Sequence, residues 1–161
     1  MMIDLGVSDL YFRAPRHSEC NALSELVFHS KASHGYSDEF MEACRDEIRV
    51  TAETLLKGPA QIVSKDAHSD VLGFVQIVET GARTCEIEAL FIAPHVQRMG
   101  IGQALFQWAV DAAQAQGFKT ITINSDPGAE AFYLSQGAVL IGKTPSGSIA
   151  GRCLPRLRFD L

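Results

Sequence analysis

The chain is short of positive charge. Fourteen Lys and Arg stand against 19 Asp and Glu, leaving a formal net charge of −5. General nucleic-acid and anionic-membrane binders need a basic field, so both classes of partner are argued against. A small anionic ligand remains open, because it needs only a local site. Long hydrophobic runs are also missing: no apolar stretch approaches the roughly 18 residues of a membrane span. The N-terminus, MMIDLGVSDLYF, has no basic segment leading into an apolar one. No signal peptide is read there, and the chain is expected in the cytoplasm. There is no C-x-x-C pair among Cys20, Cys44, Cys85 and Cys153. Free thiols in a reducing compartment are expected. The five histidines lack metal-ligand spacing; His29 and His34 have no third ligand in view, so no metal is expected. No repeat and no Pro/Gly/Ser linker divides the 161 residues, which are expected to form one domain, 1–161.

What is present is a regular alternation of patterns. Leu10–Ala14 reads as a strand stopped by Pro15, and His17–Lys31 as a helix with Cys20, Leu23, Val27 and Ser30 on one face. Ser37 is an N-cap candidate for a second helix carrying Phe40, Met41, Cys44 and Ile48 inward. A further turn, Ala52–Lys57, ends at Gly58-Pro59. Strands then follow: Ala60–Lys65 and Val71–Glu79 around a polar turn, and Thr84–Ala93 up to Pro94. A long helix runs to about Gln116, with Leu105, Trp108, Ala112 and Ala115 at core spacing. Lys119–Asn124 is a strand, Pro127–Gln136 a short helix, and Val139–Lys143 and Cys153–Asp160 the last strands. The order β-α-α-β-β-β-α-β-α-β-β predicts a mixed α/β fold. An antiparallel meander is followed by crossovers that make neighbouring strands parallel.

The long helix has an unusual start. Gln97-Arg98-Met99-Gly100-Ile101-Gly102 follows a strand and leads into Gln103 and the helix. Helix N-termini carry unpaired N–H groups and partial positive charge, and glycine lets a ligand approach the backbone. This is a pyrophosphate cradle in physical terms, with Arg98 adding a cation. A P-loop is excluded because no Lys-Ser/Thr follows, and a dinucleotide fingerprint because its third glycine position is Leu105.

Gln97-x-x-Gly100-x-Gly102, between EALFIAP and QALFQWAV, resembles the acetyl-coenzyme A signature of the GNAT superfamily of N-acetyltransferases. AEAFYLSQGA (Ala129–Ala138) resembles that superfamily's second motif, and the strand order is also similar. The resemblance implies a mostly antiparallel sheet of six to seven strands with about four helices. It implies acetyl-CoA as acyl donor and direct acetyl transfer to an amine without an acyl-enzyme. Cofactor contacts would come from Leu90, Phe91, Ile92, Gln97, Arg98, Met99, Gly100, Ile101, Gly102, Gln103 and Tyr133. A main-chain N–H near Phe91 or Ile92 would polarise the carbonyl where this strand splays from the next. Tyr133 falls at the family's tyrosine position and would protonate the leaving sulfur.

The base is sought at Glu88, with Glu86 second. Alternation puts both on one strand face, continuing through Leu90 and Ile92. Asp126 replaces an asparagine of many relatives and is expected to cap the helix at Pro127, leaving Asn124 for the cofactor contact. The acceptor groove is expected between KASHGYSDEF and TPSGSIAGRCLP, with His34, Tyr36 and Arg152 as substrate contacts beside Glu88. SHGYSDEF with GSIAGRCLP resembles a bacterial GNAT subgroup of mostly unassigned substrate. The expected acceptor is a primary amine of a small molecule or amino acid. A protein N-terminus or lysine, and a non-catalytic acyl-CoA-binding module, are the alternatives. A charged-tRNA acceptor is disfavoured by the acidic balance. A homodimer stays open.

Overall fold

The computed structural model describes residues 9–161. Seven strands form one sheet in the order β1-β2-β3-β4-β5-β7-β6. The strands are β1 (Tyr11–Arg13), β2 (Ala60–Ser64), β3 (Val71–Gly81), β4 (Thr84–Ile92), β5 (Thr120–Asn124), β6 (Val139–Pro145) and β7 (Cys153–Asp160). Every neighbouring pair is antiparallel except β4 and β5. A fifteen-residue helix, α4 (Ile101–Ala115), supplies the crossover between those two. The expected meander and crossover are therefore present, in a sheet of seven strands.

The helices before the sheet are α1 (Cys20–Ala32), α2 (Asp38–Cys44) and α3 (Ala52–Leu55). Ser37 caps α2, its hydroxyl accepting the Phe40 N–H at 3.1 Å. The helix ends at Cys44, earlier than its apolar spacing suggests, so Ile48 lies in the turns beyond it. A last short helix, α5 (Glu130–Ser135), follows a 3-10 turn at Pro127–Ala129.

Two layers of helix bury the sheet. On one face Leu105 of α4 meets Gly73 and Ile92; a Cβ at Gly73 would stand 2.9 Å from the leucine. The α4 stripe is rotated from its expected position. Leu105, Phe106, Ala109, Val110 and Ala113 are buried, whereas Trp108 and Ala112 are only partly so and Ala115 is exposed. Helix α1 contributes Leu23, Leu26 and Val27 to the core. All four cysteines are free.

Candidate active site

The two glycines at the start of α4 have different jobs. Gly100 is the N-cap and adopts φ +85°, a left-handed conformation that costs glycine little. Arg98, two residues earlier, also has positive φ, at 65°. Gly102 is held by proximity: a Cβ there would lie 3.3 Å from the Phe132 ring of α5. The chain thereby reverses after the Pro94–Val96 turn and aims the first N–H groups of α4 into an open cavity.

That cavity has a volume of about 530 Å³. Leu90, Ile92, Gln97, Arg98, Gly100, Gly102, Gln103 and Tyr133 line it, as does His34. Met99 packs against the core and Ile101 is buried within it, so neither side chain lines the cavity. The Tyr133 side chain is buried among Phe106 and Phe132, at ring distances of 6.2 and 5.2 Å. No described residue hydrogen-bonds its hydroxyl, yet the oxygen is not among the fully enclosed unpartnered atoms. It therefore reaches the cavity. Burial raises the pKa of this phenol, which keeps its proton available to a ligand.

Strand β4 forms the other wall, and a bulge sets its geometry. Ile77 pairs with Ile87 but Gln76 pairs with Ala89, so Glu88 is the extra residue. The bulge reverses side-chain parity. Glu86 stays on the face of Gln76, and that face continues through Ala89 and Phe91. Leu90 and Ile92 turn to the α4 side. The expected single face running from Glu86 through Ile92 is corrected on this point. Pairing between β4 and β5 covers only Thr84–Glu86 with Thr120–Thr122. Beyond Glu86 the strands part.

The backbone of β4 faces this gap. Ala93 donates its N–H to Leu72 of β3 at 2.8 Å, and strand alternation turns the Leu90 and Ile92 N–H groups the opposite way. The Ile92 carbonyl shares that direction and accepts from the Gln97 side chain at 3.4 Å. Phe91, the other expected donor, pairs with Phe74 and directs its N–H to β3.

A second cavity, of about 320 Å³, opens on the opposite face of the sheet. Glu47, Gln76, Glu86, Glu88, Phe91 and Asn124 are among its lining residues. The two cavities thus flank β4 from either side where it leaves β5.

The family model for the acetyltransferase (GNAT) family matches residues 23–138. The chain belongs to the GNAT family. Solved structures share the fold. A GCN5-related N-acetyltransferase from Rhodopseudomonas palustris aligns over 100% of this chain and 99% of its own, with TM-score 0.78 and 18% identity. PaiA N-acetyltransferase from Thermoplasma acidophilum, in complex with coenzyme A, has TM-score 0.75 at 17% identity, covering 94% and 99% of the two chains. YncA from Salmonella typhimurium, with its cofactor acetyl-CoA, has TM-score 0.65 at 17% identity, covering 94% and 93%.

Within this GNAT acetyltransferase, none of His34, Tyr36 and Arg152 lines the cavity on the side away from α4. His34 lies over Gly128 on the α4-side cavity, where a Cβ on the glycine would come within 2.5 Å of the imidazole. Tyr36 donates to Asp126 at 2.6 Å, and its hydroxyl accepts from Arg152 at 2.7 Å. Lys31 joins them, 3.1 Å from Asp126. Tyr36 stacks on Phe40 at 4.1 Å, and Arg152 lies 4.8 Å from the Phe40 ring. Arg152 is thereby committed to the protein. Asp126 also caps the Pro127 turn through the Gly128 N–H at 2.9 Å, as its position suggests. Burial alone would raise the Asp126 pKa, but hydrogen bonds from Tyr36 and Gly128 and the charge of Lys31 outweigh it and lower the value.

Asn124 accepts from Arg156 at 2.8 Å and lines the second cavity, on the side away from α4. Arg156 also approaches Glu86 at 3.8 Å. Sequence reasoning did not pick out Ser30, Ser33, Gly128, Ala129, Phe132 and Gln136 on the α4-side cavity. Ala129, Phe132 and Gln136 sit inside the second motif, which was the available signal; Ser30 of α1 and Ser33 just beyond it carried none. Among the described residues, no group of three or more His, Cys, Asp or Glu could hold a metal ion. No described helix is long and apolar enough to cross a membrane.

Proposed function

We propose that this GNAT acetyltransferase moves an acetyl group from acetyl-CoA to the primary amine of a small molecule. The observation that carries the acceptor class is the second cavity. At about 320 Å³ it has the size of a metabolite site, and its walls come from all around: Val27 of α1, residues 47–50, Thr54 of α3, and Gly147 and Leu154 from the last hairpin. A Cβ on Gly147 would lie 2.6 Å from the Glu47 carboxylate, so the hairpin closes directly on that wall. A protein acceptor calls for an open groove.

The α4-side cavity fits an acyl-CoA by its chemistry. The Gly100–Gly102 start of α4 offers N–H donors and Arg98 a cation to a pyrophosphate. The Tyr133 hydroxyl is a donor that no described residue claims. When bound, acetyl-CoA supplies the acetyl carbon as a thioester; the amine nitrogen bonds to that carbon and the carbon–sulfur bond breaks. The Leu90 and Ile92 N–H groups, directed into the strand gap, are positioned to polarise the carbonyl oxygen. Tyr133 donates its proton to the leaving sulfur.

Glu86 takes the proton from the amine. It is preferred over Glu88 because burial, and then the charge of Glu88, raise its pKa, with Arg156 opposing. A carboxylate raised in this way is better matched to a base working near neutral pH. The test is thiol release from acetyl-CoA with a panel of small amines, followed by mass analysis of the product. Amine-dependent release with an N-acetyl product is expected. Acetylation of peptides in preference to every small amine would overturn the acceptor class.

A further inference from the structure

The second cavity is unusual in what its polar groups can accept and donate. Glu86 lines it half-buried, and Glu47 and Glu88 line it as exposed residues, so three carboxylate side chains border the cavity. Gln76 is 2% exposed and lies on the floor. Its amide orientation is fixed, since Nε2 is surrounded by the carbonyls of Thr54 (2.9 Å), Gly58 (3.1 Å) and Leu55 (3.4 Å). Its Oε1 accepts from no described residue. It is also absent from the fully enclosed unpartnered atoms, so it opens on the cavity. Acceptors therefore outnumber donors here: three carboxylates and the Gln76 oxygen stand against the Asn124 side-chain NH2 and Arg49.

The cations nearby are mostly spoken for. Arg156 serves Asn124 and Glu86. Arg152 serves Tyr36 and Asp126. Arg49 stands exposed at the rim, shared with a separate groove beside Asn21 and Phe28. Among the described residues, a substrate carboxylate would find no enclosed cation to meet it. Between the polar groups the walls are apolar: Val27, Val50, Phe74, Phe91 and Leu154.

We infer that the acceptor is an aliphatic amine with a second ammonium group, its reacting nitrogen over Gln76 and Glu86 and its distal ammonium at Glu47 and Glu88. The inference rests on the acetyl-transfer reading above and narrows its substrate. An ammonium brings three donors and no acceptor, which matches this lining. The methylenes between the two nitrogens match the apolar walls.

The test compares three amines of equal chain length by thiol release from acetyl-CoA: 1,5-diaminopentane, pentylamine and 5-aminopentanoate. The diamine is expected to exceed pentylamine in kcat/KM by at least about tenfold, the scale of one charge-assisted hydrogen bond. The aminopentanoate should be poorest. Glu47→Gln should bring the diamine-to-pentylamine ratio down toward one, and Glu47→Asp should restore part of it. Equal rates for diamine and pentylamine, or preference for the aminopentanoate, would overturn the inference. If none of the three reacts, calorimetric titration into the CoA-loaded protein decides: diamine binding no tighter than pentylamine overturns it as well. Acetyl-CoA binding measured in parallel separates the two claims. Its loss strikes the acetyl-transfer reading; its presence without diamine preference strikes only the diamine.

Discussion

Tyr36 and Asp126, ninety residues apart in sequence, share a 2.6 Å hydrogen bond. Around it Lys31 and Arg152 tie the segment between α1 and α2 to the end of β5 and to the last hairpin. Removing the central carboxylate leaves two largely buried cations without their partner. Asp126→Asn should therefore destabilise the fold by on the order of 3 kcal/mol, read from urea denaturation near neutral pH. The sign with pH follows from the lowered Asp126 pKa. A depressed carboxylate stabilises fully above its unfolded value of about 3.9, and that contribution fades as pH falls through the folded value. The gap between wild type and Asp126→Asn should shrink in strong acid; a constant gap contradicts the hub.

Tyr36 titrates at the other extreme. Burial first, then the bond to Asp126, push its pKa up to about 12. Its raised pKa contributes stability fully below the unfolded value of about 10, lost as pH rises through about 12. Tyr36→Phe should remove a tyrosinate absorbance step near pH 12. Persistence of that step would place Tyr36 outside the bond described here.

Tyr133→Phe deletes one oxygen from a ring already packed by Phe106 and Phe132. Packing should survive. Turnover should fall on the order of 100-fold with acetyl-CoA affinity little changed, as for a lost general acid. Unchanged kcat would leave Tyr133 as a core aromatic.

The two glycines of the α4 start should fail differently. Gly100→Ala places a side chain at φ +85° and should cost about 1 kcal/mol of stability. Gly102→Val drives branched atoms toward Phe132, already 3.3 Å from a single Cβ, and should weaken acetyl-CoA binding about tenfold. Calorimetric titration and thermal melts distinguish the two; normal acetyl-CoA affinity in Gly102→Val would contradict the cradle.

Glu86 predicts opposite shifts from its two charged neighbours. As the base, it should set the acid limb of the kcat/KM profile above the usual carboxylate range of about 4.3. Removing the opposing cation with Arg156→Gln should move that limb up. Removing the neighbouring charge with Glu88→Gln should move it down. Shifts in the same direction, or none, would rule out Glu86 in this role.

Much of the frame was legible because local chemistry wrote it. Pro94 stops β4, Ser37 caps α2, and the glycine pattern marks the start of α4. What escaped depends on contacts between distant segments. The bulge at Glu88 appears only when β4 pairs with β3, and it alone sends Leu90 and Ile92 to one cavity and Phe91 to the other. The bond of Arg152 to Tyr36, and its approach to Asp126, appear only when the last hairpin meets the segment after α1. Gln76 reads as one polar residue in an apolar strand; its role needs the backbone carbonyls of Thr54 and Gly58 to fix its amide.

The central claim is that the α4 start and the parted strands hold acetyl-CoA. Thermal unfolding with and without acetyl-CoA tests it most directly. Ligand at about 100 times its dissociation constant should stabilise the fold by about 2.7 kcal/mol, with a matching rise in Tm. No shift in Tm at saturating acetyl-CoA would contradict the account.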